Sequence, residues 1–414
     1  MNNENLQHKF EFVLGSLFIF LCAVLPWSLA GMQIALISLL VLSSIFSLIT
    51  KTSPIKYHPF YLFIGIYLLA HLITLLVVDD FNDSLNAAFN NDWVIITIPF
   101  IMSLSISTKW KNRALKTLII SASVAGIYGI VQFFLGVEYI RGVQLDPFGN
   151  FYRAVGPYNA FYTYGGNQLF VFAAAFAFVL FSKKWVPDRT FYISLMLIIF
   201  LSIVASFNRS AWIASVVVVI LGTAIVNRKK VIPFAFGLII FAIIVFFFVP
   251  DFYNRFLSIF DPSQNEGRLT LWLTSWEIIK DNFFFGIGHG NFDEFFFKYK
   301  VPGFYDATGH THNDYINVTV VNGIVGLIAW LGIWISWFYY SFKTYSSKYL
   351  MESDRKIVLG SILAIAGILT ASIFQCFYTD LENNILWWVI AAVSLQISIQ
   401  SKSNKTNKQE AVKN

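Results

Sequence analysis

The chain has 414 residues, 57% of them hydrophobic and 13% charged, with a net charge of +6. Soluble domains carry about a quarter charged residues, so a water-soluble globule built round two or three cores is excluded. The excess positive charge follows topology, as shown below, and makes no case for a nucleic-acid partner.

Apolar residues arrive in blocks of about 17–25, the length that crosses about 30 Å of hydrocarbon. In chain order the expected spans are 11–29, 32–50, 59–78, 92–107, 115–135, 167–182, 190–207, 210–227, 231–249, 315–341, 357–378 and 383–400. The fold class expected is therefore an all-α polytopic membrane protein of about twelve transmembrane helices. The first block lacks a small-residue cleavage site and reads as a retained helix. Only a few residues around Asn208 and Arg209 separate the spans between 190 and 227, so one long span is the alternative count there. Cys22 and Cys376 show neither disulfide nor metal-ligand spacing and read as buried small hydrophobes.

Charge supports the twelve-span count. With both termini cytoplasmic, the inner segments hold 21 of the 29 basic residues, including Lys109, Lys111, Arg113, Lys116, Lys183, Lys184 and the tail lysines. The outer segments hold eight basic and 17 acidic residues, among them Asp79, Asp80, Asp83 and Asp92. That is the positive-inside bias.

The organisation expected is nine helices in 1–249, a large outer loop at 250–314, three helices in 315–400 and a cytoplasmic tail at 401–414. A second outer loop lies at about 136–166. Loops longer than about 12–15 residues are usually functional or disordered, and both of these are rich in aromatics and glycine rather than in disorder-promoting residues. Arg268 to Lys280 carries Leu269, Trp272, Leu273, Trp276 and Ile279 at helical spacing, an amphipathic helix for the membrane interface or the bundle surface. The lysine-rich tail after Ser401 reads as unstructured.

In a chain so poor in charge, each outer cation needs a reason. Arg209 opens an apolar span within Asn208-Arg209-Ser210-Ala211-Trp212, and cations at membrane depth are costly and usually functional. The alternative is an arginine snorkelling to headgroups. Arg268 starts the amphipathic helix, where an anion would meet both a guanidinium and helix N-terminal amides; an ordinary pairing with Glu266 is the competing account. Arg141 and Arg153 carry weaker signals, with Arg153 placed to help close a site. Of six histidines, His289, His310 and His312 fall in the large loop. His312 leads into a span through Asn313 and Asp314, so its imidazole is suited to take a proton from a hydroxyl, with Asn313 or Asp314 fixing its tautomer. His310 and His289 are auxiliary candidates. His310-x-His312 lacks third and fourth ligands for zinc, and Asp79-Asp80 reads as an acidic loop, so no metal is expected.

Taken together, these residues resemble the O-antigen ligase family, membrane glycosyltransferases that include O-antigen ligases and related polysaccharide polymerases. The resemblance covers about Ser206 to Leu327. It rests on Asn208 to Trp212, on Gly267-Arg268-Leu269-Thr270-Leu271-Trp272, on Gly286-Ile287-Gly288-His289-Gly290-Asn291-Phe292, and on His312-Asn313-Asp314-Tyr315. From His312-Asn313, nine residues intervene before Gly323-Ile324-Val325-Gly326, similar to the family's His signature followed by Gly-x-x-Gly. Ligases often continue with two threonines, where this chain has Leu327-Ile328.

The resemblance implies an undecaprenyl diphosphate-linked glycan donor and a periplasmic active site in the bacterial inner membrane, with no cofactor. The acceptor is lipid A–core in ligases and a second lipid-linked glycan in polymerases. It also implies that Arg209 and Arg268 contact the diphosphate and that His312 is the base. Ligation ranks first, polymerisation second. A flippase of lipid-linked glycans ranks third, because the spans are almost free of charge and the unusual polar residues gather on one face.

Overall fold

The computed structural model describes residues 3–78, 80–182, 187–305 and 309–413. Asp79, Lys183 and Lys184 lie outside the described residues. The chain is helical almost throughout. In order come α1 Asn3–Val24, α2 Leu29–Thr50, α3 Tyr61–Val77, α4 Phe81–Asp92, α5 Val94–Ser103, α6 Thr108–Leu135, α7 Phe161–Phe181 and α8 Pro187–Ala205. Then follow α9 Arg209–Asn227, α10 Val231–Phe248, α11 Pro250–Leu257, α12 Glu266–Asp281, α13 Phe292–Tyr299, α14 Asp314–Tyr345, α15 Glu352–Ala371 and α16 Leu381–Lys413.

Each of the twelve expected spans falls on one of these helices, but only eight candidate spans among the described residues are long and apolar enough to cross a membrane by length and composition. The difference has identifiable causes. α3 has 17 residues and α5 only ten. α15 opens on Glu352, Asp354, Arg355 and Lys356, and α9 and α10, joined only by the short basic turn Arg228–Lys230, count as one run from Arg209 to Phe248. α4 is a further short helix that the span reading did not anticipate.

α7 is the axis of the bundle. It is apolar all round and buried along almost its whole length, the signature of a helix surrounded by other helices. It packs against α6, α8, α9, α15 and α16. Peripheral helices differ: α10 turns Ile232, Phe236, Phe247 and Phe248 outward, an apolar surface that water would not tolerate and lipid would. Cys22 and Cys376 are buried free thiols. Lys111, expected at the inner surface, is instead buried, with its Nζ donating to Gln400 at 2.7 Å and lying 3.5 Å from Asp354. The tail expected to be unstructured continues α16 as helix to Lys413; its lysine, glutamine and alanine residues favour helix, and neither glycine nor proline interrupts it.

Both long loops are ordered where described. Two small antiparallel hairpins occupy 137–144 and 147–152. The larger loop is mostly the short helices α11, α12 and α13. The expected amphipathic helix is present as α12, but its apolar residues divide. Thr270, Leu271, Thr274 and Ile278 face inward, whereas Leu269, Leu273 and Trp276 are exposed at 44%, 57% and 56%.

One break in a helix organises this end of the molecule. Within α14, Gly323 adopts φ 64° and ψ −171°. The segment 283–288 crosses there and bonds to both sides of the break: the Ile287 and Gly288 amides donate to Val320 and Val321, while the Ile324 amide donates to Phe283. A Cβ on Gly323 would stand 2.2 Å from the Phe284 carbonyl oxygen, so only glycine permits the crossing.

Candidate active site

The α8–α9 turn sets Arg209. Asn208 caps α9, its Oδ1 accepting from the Ala211 amide and the Ser210 hydroxyl. Phe207 before it holds φ +53°, costly for a bulky side chain. Tertiary packing compensates, because its ring is fully buried against Phe133, Phe148, Phe252 and Trp212. The turn presents Arg209 to the large loop. There it donates to the Ser258 carbonyl at 2.6 Å and hydroxyl at 3.0 Å, and to Asn265 Oδ1 at 2.9 Å. The Asn265 amide donates in turn to the carbonyls of Ser258, Ile259 and Asp261. One asparagine thus couples the guanidinium to the conformation of the loop.

Three further arginines gather around Arg209. Arg255 on α11 donates to the Phe207 carbonyl at 3.2 Å and lies over the Phe148 ring. Arg153 also lies over Phe148, and over Phe161. Burial pushes the Arg255 pKa down to about 9, helped by Arg209, Arg153 and Arg268, all of them cationic. Desolvation lowers Arg153 as well, with Asp146 opposing it. Concentrating like charge in a partly desolvated place is unfavourable by itself. An anion is what would offset it.

A cavity of about 270 Å³ opens beside Arg209 and Arg268, lined by these two and by Ser210, Asn265, Trp272 and Phe374. Next to it runs an apolar groove of about 180 Å³, lined by Trp212, Val216, Val245, Phe246 and Phe256. Ile213 and Ile259 line both. A cationic pocket continuous with an apolar groove is complementary to a charged headgroup on a long hydrocarbon.

His312 approaches from the other side. The Trp272 indole donates to the Thr311 carbonyl at 2.9 Å, fastening α12 to the histidine segment. His312 has φ +52°, and its Nδ1 meets Gln375 Oε1 at 2.7 Å. A carbonyl oxygen only accepts, so Nδ1 carries the proton and Nε2 keeps the basic lone pair. Burial, then Arg268, lower its pKa to about 4, with Gln375 opposing, so the ring is neutral near pH 7. His310 packs edge-to-face on it and is lowered similarly, through burial, His312 and Arg268.

Residues 194–331 match the family model described as O-antigen ligase. Over that third of its length the chain is similar to the O-antigen ligase family. The match supports a membrane glycosyltransferase of the O-antigen ligase or polymerase type. No curated protein matches the chain. The matched domain contains Arg209, Arg255, Arg268 and His312 but neither Arg153 nor Gln375.

The structure brings together Arg153, Arg209, Arg268, His310 and His312, and corrects the roles expected of their neighbours. Asn313 caps α14, accepting from the Ile316 amide. Asp314 accepts from the Ser372 hydroxyl and from the Phe377 and Tyr378 amides. Neither orients the imidazole. Gln375 does so, and Asp314 acts one step back by anchoring the 372–378 loop that carries Gln375. His289 joins a different group, with Asp92 and His71. Arg141 is tied to Glu138 at 2.9 Å and to the Tyr158 carbonyl.

Arg255 and Gln375 were not singled out from sequence. Arg255 carried the same signal as Arg209, an arginine on the charge-poor outer side. Gln375 carried none, because its contact with His312 spans 63 residues.

Proposed function

We propose that this protein transfers a glycan from undecaprenyl diphosphate to an acceptor hydroxyl on the periplasmic face of the bacterial inner membrane. Ligation onto lipid A–core is the first reading. The observation that carries the proposal is the guanidinium-lined cavity joined to an apolar groove, beside a neutral, oriented imidazole. The groove receives the start of the polyprenyl chain, and the cavity receives the diphosphate.

The acceptor oxygen attacks the anomeric carbon as His312 Nε2 takes its proton. The bond from that carbon to the diphosphate oxygen breaks, and the electron pair leaves with the phosphate. Arg209 and Arg268 meet the charge that develops there, with Arg255 and Arg153 adding to the local potential. Charge-assisted bonds of this kind strengthen as the leaving group departs, so the guanidiniums supply the stabilisation without a divalent ion. Both termini lie in the cytoplasm, an orientation supported by the bias of basic residues toward the inner segments.

Polymerisation uses the same chemistry with a second lipid-linked glycan as acceptor, and Leu327-Ile328 in place of the ligase threonines favours keeping that reading in the test. Purified full-length protein in vesicles is given undecaprenyl diphosphate-linked glycan with and without lipid A–core. Glycan on lipid A–core, appearing only when that acceptor is supplied, identifies a ligase. A ladder of longer lipid-linked chains without it identifies a polymerase. No new bond in either tube, where a known ligase works, refutes transfer and leaves a transporter.

A further inference from the structure

Apart from the arginine cavity, ligand-type side chains from three elements meet at one point. They are His71 from α3, Asp92 at the end of α4, and His289 in the turn Gly288-His289-Gly290. His71 Nε2 lies 3.0 Å and His289 Nε2 lies 3.7 Å from Asp92 Oδ2, and the three ligand atoms all fall within 4.8 Å of one another. The residues are only 6%, 7% and 9% exposed.

These atoms are short of partners. Both carboxylate oxygens of Asp92 and the Nε2 atoms of both histidines are fully buried and lack a well-formed hydrogen bond. His71 Nδ1 faces the Tyr67 carbonyl at 3.2 Å; with the ring proton held there, Nε2 turns a lone pair toward the carboxylate. Two lone pairs facing each other in a buried site need something positive between them. A cation satisfies all three residues together.

The spacing fits. Ligand bonds of about 2.0–2.2 Å in a tetrahedral site put neighbouring donor atoms about 3.3–3.6 Å apart, and the two short separations bracket that range. A carbonyl holding the far nitrogen of a ligating histidine is the usual outer support, and Tyr67 supplies it to His71. Two imidazoles with one carboxylate suit zinc-class ions rather than magnesium or calcium. The Tyr378 hydroxyl, buried without a well-formed hydrogen bond, lies beside Asp92.

The site is also pre-built. Gly288 has φ +80°, and a Cβ there would stand 2.7 Å from Val78 and 2.9 Å from Ser84. Asn291 donates to the Ser84 hydroxyl at 3.0 Å, and Thr74 to the Phe285 carbonyl at 2.8 Å. The histidine turn is therefore docked on α3 and α4 independently of any ion.

We propose that His71, Asp92 and His289 bind a zinc-class divalent ion that fastens α3 and α4 to the segment crossing the α14 break. The role is structural: the ion joins the first half of the chain to the ligase-family domain and stands apart from the arginines that meet the donor.

The test uses full-length protein purified in detergent. Elemental analysis should find about one zinc per chain in the wild type and less than about a tenth of that in Asp92→Asn and in His289→Gln. Chelation should lower the wild-type melting temperature, ZnCl₂ should restore it, and neither should move the His289→Gln variant. Cobalt substitution should give visible d–d bands in the wild type alone. If Asp92→Asn does not fold, His289→Gln and the wild-type chelation series still decide the matter. Equal zinc in wild type and variant, or a metal-free wild type indifferent to zinc and chelator, overturns the proposal in favour of a hydrogen-bonded His–Asp–His group.

Discussion

Two buried polar groups lie in the same end of this lipid-facing protein, and they solve the problem of buried charge in opposite ways. Around Arg209 cationic groups predominate, two of them border a cavity, and they are mounted on loops and helix ends. Around Asp92 a carboxylate meets two imidazoles, and their ligand atoms all lie within 4.8 Å of one another. The first arrangement is unfavourable without an anion, and its cavity is the place where the proposed diphosphate would supply one. The second can be completed by a single ion and then has nothing left to do but hold. Burial alone therefore does not distinguish a working site from a fastening; the sign of the charges and the space between them do.

The contrast is tested most sharply by His312→Ala. General-base groups contribute about 10²–10⁴-fold, so transfer in the vesicle assay should fall by that much while the protein remains inserted and its melting temperature changes little. Arg209→Ala and Arg268→Ala should each lower the transfer rate by about 10²–10³-fold, the scale of losing one preorganised donor. Arg209→Lys should restore little, because a point charge cannot serve Ser258 and Asn265 together as the forked guanidinium does. Arg255→Ala should cost about tenfold, equivalent to about 1.4 kcal/mol, read as a raised KM for the lipid-linked donor. A normal rate in all of these variants would remove the arginine cavity from the mechanism.

Smaller effects concern the framework. Gly323→Ala should destabilise the protein by more than about 1 kcal/mol, measured as a lowered thermal midpoint, since it places a side chain at positive φ against the Phe284 carbonyl. The histidines add a pH dependence of definite sign. In the folded protein His310 and His312 stay neutral down to about pH 4, whereas their ordinary value is 6.5. Between those values the unfolded chain binds protons that the folded one does not, so stability falls as pH drops through that window. Transfer should be level from pH 6 to 8 as far as His312 governs it, and should be lost toward pH 4 as Nε2 is protonated. A rate rising steadily with pH across 6 to 8 would mean that another group is the base.

Much of the candidate site was legible because lipid makes polar residues conspicuous. Arg209, Arg268 and His312 stand out in apolar surroundings, and the structure brings them to one place. Asn313 and Asp314 were equally conspicuous but misassigned, because a cap and an anchor look the same in sequence as a residue that orients a base. His71 and Asp92 were passed over for a different reason. Neither spacing nor period relates them to His289, and only the docking of the 286–290 turn onto α3 and α4 makes them neighbours. For α12 the helical spacing was right, and of the two placements it left open the structure divides the apolar residues, turning Leu269, Leu273 and Trp276 outward and burying Ile279.

By itself, then, the sequence determined the solvent, the helical class, the turn at Asn208 and the polar residues that needed explaining. These follow from local chemistry: hydrocarbon demands long apolar helices, and an arginine at membrane depth is expensive wherever it lies. The tertiary structure alone decided which polar residues became partners. It set Gln375 on His312, brought Arg153 and Arg255 near the two arginines that line the cavity, and closed Asp92 between two histidines. Those are contacts across tens to hundreds of residues, made by the packing of helices whose lipid-facing and protein-facing surfaces are equally apolar, so nothing in the local pattern records them.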